Sequence, residues 1–194
     1  MADDVEHAYC TYEEFGALFF RAAVTPERIL GAVSALAGRP IDFGPMGVGP
    51  GRIAQVTAKG QIGTATATQI PGDTLSFELV VPVDLDFTID LQVEKHRFHA
   101  AVKVPLIVTA NATSDLKIVV DVKPPSASDV QLDLAAATMR ASLLKRVAGI
   151  EGELRRFVAK YVTREVEKPA VAATRVVDVG RSIDAAWAGM GPKR

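Results

Sequence analysis

Between Leu75 and Val93 every odd-numbered residue is apolar: Leu75, Phe77, Leu79, Val81, Val83, Leu85, Phe87, Ile89, Leu91 and Val93. The even positions carry Ser76, Glu78, Asp84, Asp86, Thr88, Asp90, Gln92 and Glu94, interrupted only by Val80 and Pro82. A period of two places one set of side chains on a buried face and the other in water, which is the signature of a β-strand. At about 3.3 Å per residue the run would span roughly 60 Å, against a usual strand of about 5–6 residues. A strand that long must curve, and Pro82 is the expected bulge or edge position where it bends.

The parity then switches. Phe98, Ala100, Val102, Val104, Leu106 and Val108 are apolar at even positions. A turn near Glu94-Lys95-His96-Arg97 accounts for the switch, and it pairs Val93 with Phe98 and Leu85 with Leu106. A further strand carries Leu116, Ile118, Val120 and Val122 after a turn at 111–115, and Pro124-Pro125-Ser126 breaks the chain again. Val130, Leu132 and Leu134 form a short final strand. Upstream, residues 52–58 and 61–70 read as two strands joined at Lys59-Gly60. The Gly- and Pro-rich stretch 44–51 reads as a loop. It is not a phosphate loop, since no Gly-Lys-Ser/Thr opens a helix behind it.

The ends of the chain have helical period. Thr11-x-x-Glu14 is a capping box, followed by Phe15, Leu18, Phe19 and Ala22 on one helical face. Thr25, Pro26 and Glu27 start a second helix, with Ile29, Val33 and Leu36 as its stripe and Gly38 as its stop. From residue 136 onward Leu143, Val147, Ile150, Leu154, Phe157 and Tyr161 recur every three or four residues, widened by Val158 and Val162. This predicts one long amphipathic helix ending before Pro169, about 45 Å for some 30 residues. A short apolar stretch, Val176-Val177-Asp178-Val179, and an amphipathic turn from Ser182 to Trp187 close the chain.

The expected fold class is therefore α+β. A long, strongly curved antiparallel sheet wraps against a long C-terminal helix and an N-terminal helical pair. One domain over residues 11–188 is expected, with 1–10 loosely attached and 189–194 frayed.

Composition excludes several functions. The 194 residues carry a net charge of -1, which argues against a general nucleic-acid binder. The N-terminus is acidic and lacks the apolar core of a secretion signal, and no apolar run approaches the ~20 residues of a membrane span. With Cys10 as the single cysteine, a cytoplasmic protein is expected, and Cys10 reads as a buried or incidental thiol. Glu78, Asp84, Asp86 and Asp90 share one strand face and read as a solvated surface with Lys103 nearby. His96 and His99 are three apart on a strand and point to opposite faces, so they do not read as metal ligands, and no cofactor is expected. Arg155, Arg156, Lys160 and Arg164 interleave with Glu151, Glu153, Glu165 and Glu167 as a salt-bridged wet face, or as a basic rim for an anionic head group. No nucleophile motif is present, and no enzyme is expected.

The order of helix, long curved antiparallel strands and long helix over residues 11–168 resembles the tubular lipid-binding superfamily, which includes the BPI-like and SMP domains. The resemblance implies lipid lying along a seam between sheet and helix. The phrases at 48–53 (Val-Gly-Pro-Gly-Arg-Ile) and 150–162 (Ile-Glu-Gly-Glu-Leu-Arg-Arg-Phe-Val-Ala-Lys-Tyr-Val) are also similar to proteins of high-GC actinobacteria, a likeness that implies no activity. The seam of such a chain suits an apolar ligand, a fatty-acyl chain or phospholipid, held by Leu85, Phe87, Val104, Leu106, Leu154, Phe157, Val158 and Tyr161. The competing expectation is a fully packed interaction module or homodimer that uses apolar patches at Val80–Val83 and Val104–Val108.

Overall fold

The computed structural model describes residues 8–34, 37–48, 51, 54–90, 95–134 and 141–190; the side chains of 32, 48, 54, 141–150 and 190 lie outside this set. The chain is mixed α+β. Its strands form a strongly curled antiparallel sheet, a half-barrel. They are β1 (Pro40–Val48), β2 (Ala54–Ile62), β3 (Thr66–Ile70), β4 (Leu75–Asp90), β5 (Lys95–Ala112), β6 (Lys117–Lys123), β7 (Gln131–Leu134) and β8 (Val176–Asp178). The sheet order is β1-β2-β4-β5-β6-β8, with β3 beside β4 and β7 beside β5. The helices are α1 (Tyr12–Ala23), α2 (Pro26–Ser34), α3 (Ala141–Val166), α4 (Pro169–Ala173) and α5 (Val179–Met190).

The spine is the β4–β5 hairpin, paired without a register break from Leu75↔Ala110 to Asp90↔Lys95. The alternation places Phe77, Leu79, Val83, Leu85, Phe87 and Ile89 of β4 in the core, with Ala100, Val102, Val104 and Val108 of β5 beside them. Parity is as expected, but the register is not. Leu85 pairs with Ala100 and Phe87 with Phe98, while Leu106 lies opposite Leu79. The pairing is displaced by six residues from the Leu85–Leu106 expectation. An even displacement keeps every side chain on its face, so hydrophobic pattern alone cannot detect it. Leu91 and Val93 lie outside the described residues.

Pro82 is not a bulge. It sits in unbroken register opposite Lys103, where the outer neighbour of β4 changes from β2 to β3. The Pro82 carbonyl accepts from the Gly63 N–H at 2.8 Å, so its donorless nitrogen faces that seam and no ladder bond is lost. Pro105 of β5 occupies the matching position, between the segments paired with β7 and β6.

Other expectations need correction. Lys59-Gly60 is not a turn; β2 runs through it, because Gly60 lets the backbone of β4 approach closely. The expected loop at 44–51 is largely β1, which bulges between Phe43 and Met46, with Gly44 at φ 106°. Leu116 is a turn residue at φ 56°, not part of β6. β7 is not the last strand, because β8 adds to β6 through Lys117↔Asp178. The long helix, 26 residues, is not the C-terminal one: α4, β8 and the 12-residue α5 follow it.

The capping box forms, with the Glu14 N–H donating to Thr11 Oγ1 at 3.2 Å and the Thr11 N–H to Glu14 Oε2 at 2.9 Å. Two hydrophobic clusters result. The larger gathers Val56, Leu85, Phe87, Ile89, Val102, Val130 and Leu132 beneath Leu154 and Ala159 of α3. The smaller, toward the other end of the spine, gathers Val24, Phe77, Ala110 and Ile118, with Phe20, Ile29 and Val179 against them.

Candidate functional site

Between the two clusters the inner face of the sheet is covered but not filled. A cavity of about 1280 Å³ lies there, floored by Leu79–Leu85 of β4 and Val102–Val108 of β5. Its walls come from Phe19, Ala22 and Ala23 of α1, Ile29 and Val33 of α2, Ile41 and Phe43 of β1, Val120 and Val122 of β6, and Phe157, Val158, Tyr161 and Val162 of α3. The alternation of the strands makes this surface. Inward residues must be apolar to pack, and where nothing packs on them the same residues line a void.

Six of the eight residues expected at the seam line the cavity: Leu85, Val104, Leu106, Phe157, Val158 and Tyr161. Phe87 and Leu154 do not. Each is 2% exposed in the larger cluster, where the sheet and α3 close on one another. Leu85 and Val104, at 2% and 3% exposure, form a nearly sealed floor. Leu106, Phe157 and Val158 are half-buried and Tyr161 is exposed, so these four present the open apolar surface. The side chains of Leu143, Val147 and Ile150 lie outside the described residues.

Among the described residues the charged lining is sparse: Arg28, Arg39, Glu165 and Arg175. Arg28 donates to the Ala22 and Ala23 carbonyls at 3.0 and 2.9 Å, closing the end of α1. Glu165 is engaged by Lys168 at 2.6 Å, and this bond raises the Lys168 pKa above its ordinary value. Arg155, expected either in a salt-bridged wet face or on a basic rim, is tied to Glu151 one helical turn away, as the first of these readings has it. The walls supplied by β1 and by the arginines had no signal in the sequence: β1 is hidden by its glycines and prolines, and each arginine stands alone in the chain.

Among the described residues no three His, Cys, Asp or Glu side chains converge as metal ligands. His99 Nδ1 lies 3.0 Å from Asp86 Oδ1 on the exposed face, while His96 lies on the opposite face beside Phe98. Asp84 and Asp86 are exposed and Asp90 pairs with Lys95 at 3.0 Å. Cys10 is exposed, not buried. Among the described residues no helix is long and apolar enough to cross a membrane.

The patches expected for an interaction module divide between the two faces. Val81, Val83, Val104 and Val108 turn inward, whereas Val80, Pro82, Pro105 and Ile107 line a groove of about 850 Å³ on the outer face, mixed with Glu78, Lys103, Lys123 and Asp129. The chain matches no protein-family model and no curated protein.

Proposed function

We propose that this chain binds an elongated apolar ligand, a fatty-acyl chain or phospholipid, in the cavity between the inner sheet face and α3, as a cytoplasmic carrier. One observation supports it: about 1280 Å³ left open between two packed clusters and walled, among the described residues, mostly by aliphatic and aromatic side chains. Small-molecule sites usually measure about 300–1,000 Å³, with few polar groups that fix orientation. Each methylene buried contributes about 0.8 kcal/mol, so ten to fifteen of them supply roughly 8–12 kcal/mol before ordering costs are subtracted. A strongly curled sheet is compatible with an apolar ligand of this kind, which is also what the resemblance to tubular lipid-binding domains implies.

The test is native mass spectrometry of protein purified without detergent, followed by titration with a fluorescent fatty acid. Co-purified lipid, or saturable uptake of the probe, is the expected result. Lipid-free protein that takes up no acyl probe overturns the reading. A second reading, a homodimer or interaction module, is favoured by the exposure of Phe15, Leu18 and Trp187 on α1 and α5, at 59%, 58% and 70%. The same spectra report oligomeric state.

A further inference from the structure

Arg175 lies between α4 and β8, in the wall of the cavity. Its backbone is fixed on both sides: its carbonyl accepts from the Val120 N–H at 2.8 Å, and its N–H donates to the Ala172 carbonyl at 3.2 Å. One guanidinium nitrogen, Nη2, donates to the Val166 carbonyl at the end of α3. Nε is shielded from solvent and has no hydrogen-bond partner among the described residues. The carboxylate that shares this wall, Glu165, is held by Lys168. A guanidinium carries five donors, and a buried donor left without an acceptor is unfavourable. A cation in a largely apolar lining, whose one neighbouring carboxylate is already engaged by a lysine, is stabilised when an anion reaches it.

We propose that Arg175 is the anchor for the anionic head of the ligand, so that the cavity selects an amphiphile with a carboxylate or phosphate head and one or more alkyl chains. This rests on the carrier reading. The guanidinium fork matches two oxygens of a carboxylate or phosphate, which an ammonium group does not. With the head at Arg175 the alkyl chain runs past Val162 and Val158 toward the floor at Leu106.

The experiment compares the full chain with Arg175→Met and Arg175→Lys. The probes are a fluorescent long-chain fatty acid and its methyl ester, with lysophosphatidic acid and inorganic phosphate as competitors. Arg175→Met is expected to weaken the acid by about tenfold and the ester by less than about twofold; Arg175→Lys should fall between. Displacement of the acid by lysophosphatidic acid but not by phosphate assigns the head to a lipid; displacement by phosphate alone overturns the amphiphile. Equal loss for acid and ester, with a lower melting temperature in both variants, makes Arg175 a brace for α3 and overturns the anchor. Unchanged acid binding in Arg175→Met also overturns it. If the parent chain binds the ester and not the acid, the carrier reading stands and the anchor fails. If it binds neither, the carrier reading itself fails.

Discussion

The rings of Phe43 and Phe157 lie 4.5 Å apart, tilted by 33°. This contact joins β1, at one edge of the sheet, to the middle of α3, and both rings also line the cavity. Tilted aromatic pairs contribute about 0.5–1.5 kcal/mol beyond the area they bury. A double-mutant cycle with Phe43→Leu and Phe157→Leu is expected to return a coupling in that range by denaturant unfolding. Additive effects would mean that α3 is held by the larger cluster alone.

Gly60 and Gly152 should respond to a side chain in opposite directions. A Cβ at residue 60 would collide with the Asp84 carbonyl oxygen and come within 2.7 Å of Leu85 Cδ2, whereas a Cβ at 152 meets nothing within 4 Å. Gly60→Val is expected to destabilise by about 1–3 kcal/mol or more, since backbone must move. Gly152→Ala, in exposed helix, is expected to stabilise by about 0.4–1 kcal/mol. Thermal or urea unfolding of the two variants reads both signs.

These glycines also mark what could be read from the chain and what could not. The alternation along β4 and β5 is a local signal, because each inward residue must be apolar wherever it lies along the partner. Face and curvature were therefore legible. Register was not, because displacements of two, four or six residues preserve the alternation and only the turn chooses among them. The Lys95–Asp90 ion pair at 3.0 Å now marks the choice. Gly60 looked like a turn because the close approach of β4 that requires it is a tertiary fact. At the site, Phe157, Val158 and Tyr161 were found through helical period, yet that period could not separate Leu154, which packs, from Val158, which borders the void. Packing and lining residues have the same chemistry and differ only in what stands opposite them.

Acid should act on the turn that joins β5 to β6. Asp115 accepts from Lys117 Nζ at 2.6 Å and from Thr113 Oγ1 at 2.5 Å. These bonds, Lys117 first, lower its pKa from 3.8 to about 2. The folded value is the depressed one, so the contribution is complete above 3.8 and is lost as pH falls through about 2. The melting temperatures of the parent and Asp115→Asn should therefore differ by a constant amount near neutrality. That difference should shrink as pH falls from about 4 toward 2. A difference independent of pH over that window would remove the ion pair from the account.

The cavity itself is tested at Val158, which touches the larger cluster on one side and lines the void on the other. Enlarging a residue in a filled core forces neighbours off their rotamers and costs about 1–3 kcal/mol. At a void the added ring replaces empty space and gains contacts. Val158→Phe is thus expected to keep or raise the melting temperature while reducing uptake of a fluorescent fatty acid. Leu154→Ala is the control, one turn away and 2% exposed among packed neighbours. It should lose about 2–5 kcal/mol of stability, and under conditions where it remains folded its uptake of the probe should be nearly unchanged. If Val158→Phe instead melts lower, by as much as a core substitution does, then α3 is packed against the sheet at this point. The open space would then lie nearer α2 and β6, with the acyl chain directed there.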